Sequence, residues 1–483
     1  MGNTREIVAR LWSLCDVLRD DGVTYHQYVT ELTYLLFLKM MEETGREKLI
    51  PEQYRWGKLA QKEGVAQLTF YRDLLNHLGT EASGRVRDIF TNASTTIRQP
   101  KILLKLVTEI DALNWYEAKQ EGLGDLYEGL LEKNAGEKKS GAGQYFTPRP
   151  LIECMVNVMK PQAGEFIQDP AAGTGGFLIM ADRYIKERTD NLFALRTEQQ
   201  EFQKKKAFYG MELVQDAQRL LLMNAMLHDL EGPLLLGDTL SDDGKKLPAA
   251  DLILTNPPFG TKKGGGLPSR DDFTFPTSNK QFAFLQHIYR SLKPGGRAAV
   301  VLPDNVLFEG NVGRQIREDL MDKCNLHTIL RLPTGIFYAQ GVKTNVLFFM
   351  RGQTDKGNTK EVWVYDLRAN MPQFGKRTIL MHEHFAEFEA AFGTDPAGGP
   401  QSLKKRKDAG KEGRFRRFTR EDIVARGDAL DIAWLKDDSD ASNDDLPEPV
   451  DLARAAMHEL DCAMEELREI LAELVERVDE VEA

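Results

Sequence analysis

From Gln144 to about residue 370 the chain repeats one pattern: a short apolar run, a turn, then an amphipathic run long enough for a helix. "GEFIQDPAAGTGGFLIMADRYI" reads as strand, glycine-rich turn and helix, and "AFYGMELVQDAQRLLLMNAMLHD" as strand then helix. "PLLLGDTL" and "DLILTNPPF" read as strand ends, "QFAFLQHIYRSLKPGGRAAVVLPDNVLF" as helix, turn and strand, and "TILRLPTGIF" and "TNVLFFM" as later strands. Few folds accommodate this alternation. Parallel strands need long crossovers, most readily helices, so the expected class is α/β: a mostly parallel sheet with helices on both faces.

The flanks differ from this core. Residues 1–140 are expected to form an N-terminal helical domain, from "IVARLWSLCDVLR", "YHQYVTELTYLLFLKMMEE", "PKILLKLVTEIDALNW" and "LGDLYEGLLEKNA". The polar "GEKKSGAG" of Gly136–Gly143 marks the junction with an α/β domain over 141–370. Residues 371–450 read as a loop-rich region, basic in "SLKKRKD" and "KEGRFRRFTR", then acidic in "DDSDASNDDLPEPVD". Residues 451–483 read as an amphipathic, coiled-coil-like helix. Met457, Leu460, Met464, Leu467, Leu471, Leu474, Val478 and Val481 recur at spacings of 3 and 4, a heptad seam that must pack on a partner or on the chain's own body.

Composition excludes several classes. With 42% hydrophobic and 28% charged residues the chain is an ordinary soluble one, with no apolar run of eighteen or more. Four cysteines, Cys15, Cys154, Cys324 and Cys462, lie far apart without a CxxC, so no disulfide frame and no metal site is expected, in keeping with a reducing cytoplasm. A net charge of −11 is unusual for a protein that grips DNA alone.

Chemistry-bearing residues fall at the strand ends. In "DPAAGTGG", Asp169 would end the first strand, and Gly173, Thr174, Gly175 and Gly176 form a turn on which a ligand can approach the backbone at a helix N-terminus. No GK[ST] follows, and the spacing departs from GxGxxG, so neither a phosphate loop nor the usual dinucleotide fingerprint is present. Glu212 would end the second strand, suited to accept both hydroxyls of a ribose. Asp238 would end the third, where it could accept from an adenine amino group or another polar group. Each acid alone is equally a strand-end or cap residue; the ordered set, followed by Asn-Pro-Pro-Phe, is much harder to produce by accident.

Asn256-Pro257-Pro258-Phe259 resembles the catalytic motif of amino-group DNA methyltransferases. The prolines remove backbone freedom, so the Asn256 side-chain oxygen and the Pro257 carbonyl can take the two N–H bonds of adenine N6 and aim its lone pair at a methyl group. Phe259 would stack on a flipped-out base. The reaction needs placement rather than a covalent nucleophile, and no cysteine lies near the segment.

Over nearly its whole length the chain resembles the modification subunit of a type I restriction–modification system, a gamma-group N6-adenine DNA methyltransferase. That resemblance implies a Rossmann-like, S-adenosylmethionine-dependent core. In "GQYFTPRPLIECMV" it implies that Tyr145, Phe146, Thr147 and Pro148 cover the cofactor, and in "GVKTNVLFF" (341–349) a late motif lining the target-base pocket. It implies double-stranded DNA as substrate, and a specificity subunit, a second copy of this chain and a motor-nuclease restriction subunit as partners; sequence reading is expected to lie in the specificity subunit. Lys262, Lys263 and Arg270, in the glycine-rich segment after the tip, are candidate DNA contacts. The basic stretch at 404–420 is left open. Competing readings are a protein-amide or RNA methyltransferase, and a non-catalytic structural subunit that keeps the fold.

Overall fold

The computed structural model describes residues 9–11, 13–14, 25–115 (25–29 by backbone only), 124, 127, 129, 147–260, 267–337, 342–372, 374–375, 378–435, 457, 460 and 464. The chain forms two compact units: Met1–Gly141 with Gln162–Thr239, and Ala142–Pro161 with Leu240–Ala483.

In the first unit the front of the chain is helical, as its periodicity requires. Helix Tyr25–Glu43 is buried on every side from Glu31 to Met41, so it is the centre of the front assembly rather than an amphipathic surface helix. Helices Gly64–Thr80, Gly84–Phe90 and Pro100–Asp111 pack around it. Beyond them lie three parallel strands: β1 (Ile167–Asp169), β2 (Phe208–Glu212) and β3 (Leu234–Leu236), in the order β3-β2-β1. Helices Gly176–Arg188 and Gln215–Leu227 are the crossovers. The front helices are tied to the second crossover by arginine–carbonyl bonds. Arg219 donates from Nε to the Ile89 carbonyl (2.6 Å) and from Nη2 to that of Thr91 (2.9 Å), and Arg85 donates to the carbonyls of Leu230 and Gly232. Charged donors thereby satisfy buried backbone oxygens that would otherwise be costly.

The second unit holds β4 (Ala250–Thr255), β5 (Leu292–Pro303), β6 (Cys324–Arg331), β7 (Thr344–Arg351), β8 (Glu361–Asp366) and β9 (Phe415–Thr419), in the order β4-β5-β7-β6-β8-β9. Pairings β4–β5 and β6–β8 are parallel; β5–β7, β6–β7 and β8–β9 are antiparallel. The sheet is therefore more mixed than the alternation predicts. The cause is local: "LPTGIFYAQGVK" between β6 and β7 contains a proline and two glycines and no helical repeat, so it returns the chain antiparallel. The expected turn at Lys293–Gly296 is a bulge inside β5, where the register jumps from Ala250↔Leu292 to Leu252↔Arg297.

Residues 378–435, expected as loop, contain helices Ala386–Phe392 and Arg420–Ala425 as well as β9, and they build core. Phe385, Phe388 and Phe392 are fully buried, with Phe392 edge-on to Phe348 at 5.2 Å. The basic stretch is partly structural. The Arg406 guanidinium lies 5.1 Å from the Phe392 ring centre and donates to the Phe392 carbonyl at 2.9 Å, while Arg414 donates to the carbonyls of Asp366 and Ala369. Lys404, Lys405, Lys407 and Lys411 are exposed. Charge dominates composition here, so spacing hides the buried aromatics between the basic residues. Of the heptad seam only 457, 460 and 464 are described, as helix with exposed side chains; the rest lies outside the described residues.

Candidate active site

In the first unit, β1 ends at Asp169, whose Oδ1 accepts the Ala171 N–H at 3.1 Å and shapes the start of the glycine turn. Gly173 and Gly175 take φ of +53° and +88°, a backbone region that side-chain-bearing residues rarely enter. Gly175 then caps helix Gly176–Arg188. Among the described residues a Cβ at Gly173 would meet nothing within 4 Å; at Gly175 it would fall 2.6 Å from Leu221 Cδ1. The Thr174 carbonyl is held by Asn224 Nδ2 at 3.0 Å, and the Pro170 carbonyl by the Thr239 hydroxyl at 2.6 Å.

Glu212 ends β2, as its place in the pattern predicts, and does more than the sequence suggests. Its Oε2 accepts the Gly173 N–H and its Oε1 the Val214 N–H, each at 2.9 Å. It is thus the brace between the glycine turn and the loop after β2. Burial pushes its pKa above the ordinary carboxylate value, against the N–H donors of Val214, Gly173 and Leu213, which pull it down. Asp238 lies two residues beyond β3 and is half-buried. Leu213 and Leu236, exposed at 64% and 47%, flank this acid edge with apolar surface that the strand pattern alone does not flag.

In the second unit, β4 ends at Thr255 and the next four residues form the tip. Neither Pro257 nor Pro258 can donate to a neighbouring strand, so pairing stops there. Asn256 donates from Nδ2 to the Thr147 hydroxyl at 2.9 Å, which turns the amide oxygen to the opposite side. Thr147 is buried and Pro148 caps helix Arg149–Met159. The opening motif and the tip, 109 residues apart, therefore meet directly. Phe259 is 8% exposed. Gly260 is held by the helix Lys280–Ser291: its N–H by Gln281 Oε1 (2.9 Å), its carbonyl by the Lys280 N–H (3.0 Å).

Other candidates fare differently. Tyr145, Phe146, Lys262 and Lys263 lie outside the described residues. Arg270, expected to face phosphates, is turned inward. Its side chain is 4% exposed, it forks onto both oxygens of Asp272 at 2.6 Å, and it lies 4.7 Å from the centre of the Phe273 ring. That pair holds the Asp272 pKa down at about 2. Burial and the nearby Arg270 charge push His287 down to about 3, leaving it neutral. In the late motif, Asn345 is fully buried and donates to Asp304 at 2.7 Å, and Arg368 forks onto the same carboxylate at 2.8 Å. This is a frame at the strand ends. The anchors Gln281, Asp304 and Arg368 carry no motif signal of their own; only the contacts single them out.

A sequence model of the N-6 DNA methylase family matches residues 118–440, and one of the HsdM N-terminal domain matches residues 7–110. The chain belongs to the N-6 DNA methylase family. Within it, this is a modification subunit of the type I restriction–modification kind. The methylase subunit of the StySPI type I restriction enzyme from Salmonella potsdam is 53% identical, covering 98% of this chain and 96% of that one. Among solved structures, the EcoKI M protein is 48% identical, covering 97% of this chain and 96% of its own, with a TM-score of 0.58. A chain from another type I system is 28% identical and covers 97% of both, with a TM-score of 0.72. The α/β Rossmann-like core behind an N-terminal helical domain is that of this family, and its reaction is S-adenosylmethionine-dependent methylation of adenine N6 in DNA.

Proposed function

We propose that this chain transfers a methyl group to adenine N6 in double-stranded DNA through Asn256, Pro257, Pro258 and Phe259, in the reaction class given for the EcoKI M protein, EC 2.1.1.72. The Asn256 Oδ1 and the Pro257 carbonyl accept the two N–H bonds of the amine, and Phe259 stacks on the flipped base once the groups covering its ring move aside. The observation that carries this reading is the 2.9 Å bond from Asn256 Nδ2 to Thr147. In this arrangement Nδ2 is the end turned to Thr147, which leaves Oδ1 on the other side, where a methyltransferase needs an acceptor.

The residues of the first unit suit S-adenosylmethionine: a left-handed glycine turn with no described residue against Gly173, a braced carboxylate at Glu212, and exposed apolar side chains next to both. When bound, that cofactor supplies the methyl group on a sulfonium. Glu212 would hold its ribose hydroxyls and Asp238 its adenine edge or a neighbouring polar group, with Asp169, Gly173, Thr174, Gly175 and Gly176 forming the turn and Tyr145, Phe146, Thr147 and Pro148 the cover.

The chain would act in the cytoplasm within a type I complex, paired with a second copy of itself and a specificity subunit that reads the DNA, and joined by a motor-nuclease subunit for restriction. Lys262 and Lys263 would contact phosphates; Arg270, tied to Asp272, would not. The C-terminal heptad seam would dock on the specificity subunit. Transfer of labelled methyl to duplex DNA by the assembled complex, followed by nucleoside mass spectrometry, tests the reaction. N6-methyladenine supports it, whereas label found only in protein or RNA, or nowhere, overturns it.

A further inference from the structure

We propose that Gln281 is a positioning residue for methyl transfer, holding the tip in register through Gly260; the proposal rests on reading Asn256–Phe259 as that tip. Gly260 turns the chain at φ +96°, and both its polar backbone atoms are tied to one helix start. Its N–H donates to Gln281 Oε1 at 2.9 Å, and its carbonyl accepts from Lys280 N at 3.0 Å. The Gly260 N–H shares a rigid peptide plane with the Phe259 carbonyl. Behind it stand two prolines whose φ angles cannot relax, so fewer torsions remain by which the tip could adjust without moving the Phe259 ring or the Pro257 carbonyl.

Gln281 is 4% exposed, and its amide is bonded at both ends. An ionised carboxylate only accepts hydrogen bonds. Glu309 Oε2 accepts from Asn305 Nδ2 at 2.9 Å and from Asn279 Nδ2 at 3.4 Å. With its nitrogen so engaged, Asn305 presents Oδ1 to Gln281 Nε2 at 3.3 Å. Gln281 therefore turns its oxygen to the Gly260 N–H. The relay runs from Glu309 through Asn305 and Gln281 to Gly260, and it crosses between adjacent strand ends. Gly260 follows β4, Asn305 follows β5, and those strands pair in parallel. The tip is thereby indexed to the neighbouring strand as well as to its own flanks.

The test uses the assembled complex with its specificity subunit and a duplex carrying that complex's site. Single-turnover methyl transfer, S-adenosylmethionine affinity by calorimetry and the pH profile are measured for wild type, Gln281→Ala, Gln281→Glu and Asn256→Ala. Gln281→Ala should slow transfer about 10- to 100-fold, the effect expected of a slight misplacement, with cofactor affinity as in wild type. Gln281→Glu keeps an acceptor for Gly260 but sets a second oxygen against Asn305 Oδ1. It should work only when protonated, with a rate that climbs as pH falls, a limb absent from wild type. Transfer by Gln281→Ala at the wild-type rate overturns the proposal. So does a Gln281→Glu profile that follows wild type, and this arm decides alone if the alanine variant does not fold. An active Asn256→Ala means the tip itself has been misread; an inactive Asn256→Ala beside a wild-type Gln281→Ala means that only the positioning role is lost.

Discussion

Glu212→Gln tests how the cofactor half works. The carboxylate, 7% exposed, accepts two backbone N–H bonds of 2.9 Å, from Gly173 and Val214. A glutamine can satisfy one of them; its other end then presents an N–H to an N–H. A hydrogen bond to a charged group is worth about 1.5–3 kcal/mol, which corresponds to about 10- to 150-fold in an equilibrium constant. Because one of the two bonds orders the glycine turn itself, and the ribose loses a charged acceptor as well, that loss should appear in S-adenosylmethionine affinity measured by calorimetry. A pH series adds a second signature. Burial raises the Glu212 pKa above its ordinary 4.5, so the carboxylate is neutralised at a higher pH than an exposed one. Wild-type affinity should fall as pH drops through that raised value, and Glu212→Gln should lack the fall. An unchanged dissociation constant, or a variant that keeps the acid limb, refutes the assignment.

Three further outcomes are expected. His287, ordinarily near 6.5, is depressed to about 3, so the folded state binds fewer protons than the unfolded one. Its contribution to stability is complete above pH 6.5 and declines as pH falls below it, by about 1.4 kcal/mol per unit. His287→Gln should flatten that part of a pH series of denaturant melts, and parallel slopes would contradict it. Truncation after Pro449 should leave a folded, cofactor-binding chain that assembles poorly with the specificity subunit; light scattering on the co-expressed subunits showing full stoichiometry would exclude the tail as the docking element. Charge reversal at Lys262 and Lys263 should weaken DNA binding by the complex and reduce its salt dependence, and an unaltered salt slope would remove them from the interface.

Much of the site was legible because its chemistry is carried by residue types that a strand end rarely needs. A glycine turn after Asp169, an acid closing β2 and a double proline after β4 are constraints on backbone and charge, and these survive in the sequence as local patterns. The mixed sheet was not legible, because the direction of β7 depends on the connection leaving β6 rather than on β7's own residues. Arg270 shows the opposite failure. A basic residue among glycines reads as a phosphate contact, but its fork matches the Asp272 carboxylate two residues on, and that pairing is a matter of rotamers and burial. Likewise the role of Arg406 and Arg414 stayed open in the sequence, since nothing in a basic stretch shows that their guanidinium groups cover buried rings and carbonyls. Gln281, Asn305 and Glu309 had no pattern at all, since an ordered amide relay arises only when three separate segments fold together.

The central claim is that the tip after β4 delivers adenine N6 to the methyl group, and Asn256→Ala tests it most directly. The substitution removes one of the two acceptors for the amine and the bond to Thr147, while leaving the glycine turn and Glu212 intact. Single-turnover methyl transfer to a duplex, with S-adenosylmethionine binding measured on the same preparation, should show cofactor affinity retained and transfer abolished. Transfer at a rate near that of wild type would contradict the account.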